Sequence, residues 1–137
     1  MNASARIAAV AVAATWAVSS HALEPQVNYQ LQCMGCHHAD GAGETGRVPS
    51  IRRTLVLFSG LPEGREYLLR VPGVAQAPLS DQDLASLMNW MVRNLSDLPL
   101  QREFVEFTSA EVATARQQPL AAVAAQRTRL LDLVKLR

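Results

Sequence analysis

The stretch that decides the fold is Cys33-Met34-Gly35-Cys36-His37, in a chain of 137 residues. It holds the only two cysteines, three positions apart, and a histidine directly follows the second. On a helix, side chains three positions apart are neighbours on one face. This C-x-x-C-H spacing is that of covalent haem attachment, in which both thiols add to the haem vinyl groups and the histidine binds the iron. The stretch therefore predicts one covalent haem c held by Cys33, Cys36 and His37.

Three other interpretations of these cysteines have less support. A thioredoxin-like redox pair needs a strand before the cysteines, whereas residues 28–32 have the pattern of a short helix. A zinc site built from Cys33, Cys36, His37 and His38 would take four ligands from six residues, and tetrahedral sites normally draw their second pair from a distant element. A structural disulfide would close a loop of two residues and stabilise the fold little.

The first 22 residues have the features of a secretory signal. Arg6 precedes an apolar stretch, Ile7 to Val18, and Ser20-His21-Ala22 supplies the small residues that a signal peptidase recognises. The apolar stretch has twelve residues, whereas a membrane-spanning helix needs about 20. A retained N-terminal anchor is the alternative. We expect cleavage after Ala22, export to the periplasm and no transmembrane segment in the mature chain.

Composition excludes several classes of protein. Apolar residues make up 49% of the chain, which suits a small globular fold rather than a disordered one. Lys and Arg number 13 against 12 Asp and Glu, so the basic excess that a nucleic-acid binder needs is absent. We therefore expect no nucleic-acid partner.

Further residues resemble the class I c-type cytochromes. After the motif come His38-Ala39-Asp40-Gly41-Ala42-Gly43 and Val48-Pro49-Ser50-Ile51, and Leu79-Ser80-Asp81 then opens an apolar helix containing Trp90. The resemblance covers about residues 25 to 95. It implies an all-α, cytochrome c-like fold wrapped around one haem.

The resemblance also implies roles for single residues near the haem. The carbonyl of Pro49 is expected to accept the Nδ1 proton of His37, which would orient the imidazole; an ordinary loop proline is the alternative. Gly41, Gly43 and Gly46 fit a loop that must turn tightly beneath the porphyrin.

Helix signals divide the rest of the chain. Residues 64–70 predict a short helix closed by Pro72-Gly73, and Ser80 predicts the start of the next helix, with Asp83 at its third position. We expect a signal peptide at 1–22, a haem domain at 23–96 and a helical C-terminal extension at 97–137.

Two helices are expected in that extension. Thr108 and Glu111 form a capping box for the first, and Pro119 fits the first turn of the last. We expect the extension to pack across the haem domain; docking on a partner protein is the alternative.

The sixth iron ligand is the open question. Class I cytochromes usually carry a methionine, commonly followed by proline, on the loop before the Leu-Ser-Asp helix start, whereas this chain has Val71-Pro72. Met34 lies inside the attachment motif, which leaves Met88 or Met91 as distal candidates. Core packing is the usual role of methionines at helical spacing, and in that role Met88 and Met91 would leave the iron without a second protein ligand.

These observations predict a periplasmic electron carrier rather than an enzyme, with no catalytic residue. Its expected partners are redox proteins: a periplasmic dehydrogenase as donor and a downstream cytochrome or oxidase as acceptor. A haem enzyme or small-ligand sensor with an open iron position is one alternative. The other is a cytochrome subunit docked permanently on a dehydrogenase.

Overall fold

The computed structural model describes residues 23–100 and 104–135. In these residues the chain forms eight helices and no strand, with one isolated bridge between Glu44 and Val48. The helices are α1 Pro25–Gln32, α2 Met34–His37, α3 Thr54–Ser59, α4 Pro62–Arg70, α5 Pro72–Ala75, α6 Asp81–Asn94, α7 Ser109–Ala115 and α8 Val123–Lys135. The all-α fold class is confirmed. The expected signal peptide, residues 1–22, lies outside the described residues.

Two helices begin where their capping residues predict. The Ser80 hydroxyl accepts a hydrogen bond from the Asp83 backbone N–H at 3.0 Å, at the start of α6. The Thr108 hydroxyl accepts one from the Glu111 N–H at 3.1 Å, at the start of α7. Each bond satisfies an amide that has no partner within its own helix.

The middle of the chain differs from the expectation in two places. Helix α3 was not predicted; it is stabilised by packing, because three of its side chains are fully buried: Leu55, Val56 and Phe58. Helix α4 ends at Arg70 as expected, but Pro72 also begins the four-residue α5. A proline is accepted in the first turn of a helix, where its missing N–H has no partner to lose.

The last helix begins later than predicted. It starts at Val123, whereas Pro119 was expected in its first turn. The backbone N–H of Leu120 donates to the carbonyl of Arg70 at 2.8 Å. This bond ties the chain to the end of α4, so that the helix begins only beyond it.

The described part of the C-terminal extension shares one core with residues 23–96. Helix α7 packs on α4 and α6, and α8 packs on α3 and α4. The segment 104–135 contributes three fully buried side chains to that core: Phe107, Val112 and Leu130.

Arg116, just after α7, fixes the loop between α5 and α6. Its guanidinium donates to the carbonyls of Ala75 at 2.9 Å, Ala77 at 2.6 Å and Leu79 at 2.8 Å, and to the Asp81 carboxylate at 2.8 Å. One side chain of the extension therefore satisfies three backbone acceptors in the loop that precedes α6.

Candidate cofactor site

The C-x-x-C-H segment forms a helical turn. The N–H of His37 donates to the Cys33 carbonyl at 2.9 Å, which places Cys33 and His37 one helical turn apart. Both thiols are free, with Cys33 half-buried and Cys36 exposed. Burial, followed by the neighbouring Cys36, raises the pKa of the Cys33 thiol to about 11. The two thiols are thus unpaired and close together, as covalent attachment to one cofactor requires.

Contacts from both sides hold the end of this turn. The Tyr29 hydroxyl of α1 donates to the His38 carbonyl at 2.6 Å, and the Gly43 N–H donates to the His37 carbonyl at 3.2 Å. Tyr29 is 1% exposed, and its burial is the main reason that its pKa rises to about 12. The hydroxyl therefore stays protonated and able to donate at neutral pH.

The loop after the motif turns as its glycines predict. Gly41, Gly43 and Gly46 all have positive φ, which residues with a Cβ rarely adopt. Gly43 is also closely packed: a Cβ there would lie 2.4 Å from the Val48 carbonyl oxygen and 2.9 Å from that of Pro49. Glycine at 43 thus allows the backbone of 48–49 to approach the histidine turn.

His37 is half-buried at the end of the motif. Burial is the main cause that lowers the pKa of His37. The Pro49 backbone raises this pKa, and the neighbouring His38 lowers it further. Nδ1 is buried and has no hydrogen-bond partner among the described residues. The Pro49 carbonyl is thus near enough to act on the imidazole but does not meet hydrogen-bond geometry with Nδ1. The proposed Nδ1–Pro49 bond stays a prediction.

A largely apolar cavity of about 340 Å³ opens beside the motif. This volume lies in the range of pockets that hold cofactors and small ligands. Cys33, Cys36 and His37 line it, together with Pro49 and with side chains from α3, α4, α5, α6 and α8. The His37 imidazole and the two free thiols are a suitable donor set for a haem, and the apolar wall suits its porphyrin ring.

Both candidate methionines reach this cavity. Met88 and Met91 line it from α6, and both are buried in the core as well. Met34 does not line it and is partly exposed. The segment Val71–Val74, near the usual position of the family methionine, also lines the cavity but offers no side chain that binds iron.

Several lining residues were not predicted as part of the site. Tyr67 comes from α4, whereas Val123 and Arg127 come from α8 in the C-terminal extension. The spacing of α8 contained a signal, because positions 123, 127, 130 and 134 recur on one helical face. That face could not be assigned to the cavity from sequence alone.

The alternatives for the cysteines find no support in the described residues. Helix α1, not a strand, precedes the cysteines, contrary to a thioredoxin-like site. No group of three or more His, Cys, Asp and Glu side chains in 23–100 and 104–135 is arranged to hold a metal ion, contrary to the zinc site.

None of the helices described here is both long enough and apolar enough to span a membrane.

An all-α fold, a C-x-x-C-H turn and an adjoining apolar cavity are together the features of a c-type cytochrome. The chain is 29% identical to cytochrome c-552 of Thermus thermophilus over 107 residues, covering 65% of this chain and 82% of that protein. A second Thermus thermophilus cytochrome c-552 has the same identity over 107 residues and is covered to 72%. No protein-family model matches the chain, and no solved structure matches it. The similarity is distant, and it supports a c-type cytochrome.

Proposed function

We propose that the chain is an exported, monohaem, class I c-type cytochrome that carries electrons from a periplasmic dehydrogenase to a downstream cytochrome or oxidase. The observation that carries the proposal is that Cys33, Cys36, His37, Met88 and Met91 all line one cavity. Similarity to cytochrome c-552 supports the same class of electron carrier.

The residues of the motif would hold the cofactor in a defined orientation. Cys33 and Cys36 would hold the haem through two thioether bonds, each thiol contributing its sulfur to one carbon of a vinyl group and its hydrogen to the other. His37 would bind the iron through Nε2, which would leave Nδ1 to donate to the Pro49 carbonyl. The haem iron, when bound, supplies reversible one-electron chemistry.

The rest of the cavity would set the conditions for electron transfer. Its apolar wall would keep water away from the iron of a bound haem, which would influence the reduction potential. Cys36 is exposed, so the attachment edge lies at the protein surface, where a redox partner can approach. No residue in this mechanism performs acid–base or nucleophilic catalysis, as suits a carrier.

The first experiment tests covalent attachment. The full chain is expressed with an export and haem-attachment system, denatured, and tested for haem that stays with the polypeptide. We expect one retained haem per chain and loss of retention in the Cys33→Ser, Cys36→Ser double variant. A wild-type chain without retained haem would contradict the proposal.

The second experiment assigns the distal ligand. We expect the oxidised protein to show a thioether-to-iron charge-transfer band that disappears in either Met88→Ala or Met91→Ala. Met34→Ala is the matched control, because Met34 is partly exposed and does not line the cavity. If the band persists in both Met88→Ala and Met91→Ala, neither methionine is the ligand.

A second candidate function is a haem enzyme or small-ligand sensor. It is favoured by the Val71–Val74 segment, which lines the cavity without a side chain that binds iron. Rapid carbon monoxide binding to the reduced wild-type protein would support this alternative. A six-coordinate carrier should bind carbon monoxide slowly, because a protein ligand must first dissociate.

Permanent docking on a dehydrogenase has less support. The docking alternative requires apolar side chains of the extension to face a partner. Phe107, Val112 and Leu130 are buried in this chain's own core, and Val105 and Leu133 are the large apolar side chains of the described segment 104–135 that are exposed. A purified wild-type monomer that exchanges electrons rapidly with a soluble acceptor would exclude it.

A further inference from the structure

Arg127 occupies an unusual position on α8. The positions 123, 127, 130 and 134 form one face of the helix, and three of them carry apolar side chains that pack on the core: Val123, Leu130 and Val134. Arg127 occupies the remaining position of this inward face; it is half-buried and lines the cavity. A cation has thus been placed where the helix pattern calls for an apolar residue.

The guanidinium of Arg127 lacks a counter-charge in the described part of the chain. It takes part in none of the seven ion pairs there, nor in any side-chain hydrogen bond. Placing a charge in partly buried surroundings is costly unless an anion or hydrogen-bond acceptor compensates it. The side chain is therefore suited to a ligand that carries its own negative charge.

The charges around the cavity favour an anionic ligand. Two arginines line the cavity, Arg47 and Arg127, and no Asp or Glu among the described residues does so. Arg47 is largely exposed and pairs with Glu44 at 3.1 Å, whereas Arg127 is the less exposed of the two. Arg127 also acts on Tyr67 across the cavity wall, since its charge partly offsets the rise in the Tyr67 pKa that burial causes. Arg127 is the stronger candidate for contact with a buried anion.

We propose that Arg127 binds a propionate carboxylate of the haem, so that the C-terminal extension forms part of the cofactor site. The inference rests on the proposed function, because it takes a covalent haem as the occupant of the cavity. A guanidinium presents two parallel N–H donors that match the two oxygens of a carboxylate. Its positive charge also favours the reduced iron, which carries one positive charge fewer, and so raises the reduction potential.

The test compares Arg127→Gln with Arg129→Gln in the haem-loaded full chain. Arg129 is the matched control: it lies on the same helix, is exposed, takes part in none of the described ion pairs, and does not line the cavity. Two properties are measured, the midpoint potential and the propionate bending mode in the resonance Raman spectrum. We expect Arg127→Gln to lower the potential and shift the bending mode, and Arg129→Gln to change neither.

Each other outcome overturns the inference. If Arg127→Gln behaves like Arg129→Gln, Arg127 does not contact the haem. If the potential falls but the bending mode is unchanged, the charge acts from a distance or on a free anion, because that mode reports the haem propionates alone.

A third variant covers the case in which Arg127→Gln does not fold. Arg127→Lys keeps the charge and the aliphatic stem but loses the paired donors. We expect it to keep the wild-type potential more closely than the glutamine variant and to shift the bending mode; an unshifted mode overturns the inference. A wild-type chain without covalent haem would instead refute the proposed function, and that result is known from denatured protein before any variant is compared.

Discussion

Replacing Gly43 by alanine should destabilise the protein far more than the same change at Gly46. Both glycines lie in the left-handed region, with φ of +68° at Gly43 and +80° at Gly46. A Cβ at Gly46 meets nothing within 4 Å, whereas a Cβ at Gly43 would lie 2.4 Å from the Val48 carbonyl oxygen. The pair therefore separates the cost of the backbone conformation from the cost of a steric clash.

The expected magnitudes follow from these distances. The left-handed conformation costs a residue with a Cβ about 1–2 kcal/mol, so Gly46→Ala should lose about 1 kcal/mol of unfolding free energy. At Gly43 the closest contact must open from 2.4 Å to at least 3.0 Å, and this movement breaks the 2.8 Å hydrogen bond from Glu44 N–H to the Val48 carbonyl. Loss of that bond adds about 1 kcal/mol to the cost of the substitution. Together with the cost of displacing the backbone of 48–49, we expect Gly43→Ala to lose about 3 kcal/mol of unfolding free energy.

Urea unfolding followed by far-ultraviolet circular dichroism measures both free energies. The absorption spectrum of the haem-loaded protein is the second readout, because the displaced Pro49 carbonyl is the expected partner of His37 Nδ1. We expect a changed spectrum in Gly43→Ala and an unchanged one in Gly46→Ala. Equal losses of stability in the two variants would refute the argument from close packing.

Two further changes test other contacts. Arg116→Gln removes a guanidinium that binds three carbonyls and the Asp81 carboxylate, and we expect it to lower the free energy of unfolding in urea by about 3 kcal/mol. The control, Arg93→Gln, breaks an exposed ion pair and should lose less than about 1 kcal/mol. Similar losses in the two variants would contradict the prediction. Tyr29 has a pKa of about 12 in the folded protein against its usual 10.0, so the contribution of Tyr29 to stability should be complete below pH 10 and be lost, by up to about 3 kcal/mol, as the pH rises to 12. Tyr29→Phe should lose about 1 kcal/mol at neutral pH with the hydrogen bond to His38. Its alkaline fall should be smaller than that of the wild type but not zero, because burial also raises the pKa values of Cys33 and Tyr67; an equal fall in both proteins would show that Tyr29 does not contribute to it.

Features that depend on neighbouring residues could be predicted from the sequence. The caps of α6 and α7 join residues three positions apart, Ser80 with Asp83 and Thr108 with Glu111. The tight turns at the glycines and the helical turn of the cysteine motif are similarly local. Each follows from the chemistry of a few consecutive side chains, so a single sequence contains the necessary information.

Features that depend on distant contacts could not be predicted. Helix α3 has branched and aromatic residues with weak helix propensity, and packing against the core overrides that propensity. The late start of α8 follows from the bond between Leu120 and Arg70, which no local pattern indicates. The place of Arg127 in the cavity wall has the same origin, since the periodicity of α8 defines a face but not the surface that it meets.

The cavity joins Cys33, near the beginning of the described chain, to Arg127, 94 positions later (127 minus 33). Bringing such distant residues together costs conformational entropy, which is recovered only when the helices between them have packed. The cavity therefore cannot form as a local unit, and unfolding at either end opens it. A chromophore held there would report the cooperative folding of the whole described chain, so its absorbance and the helical signal should change in a single transition.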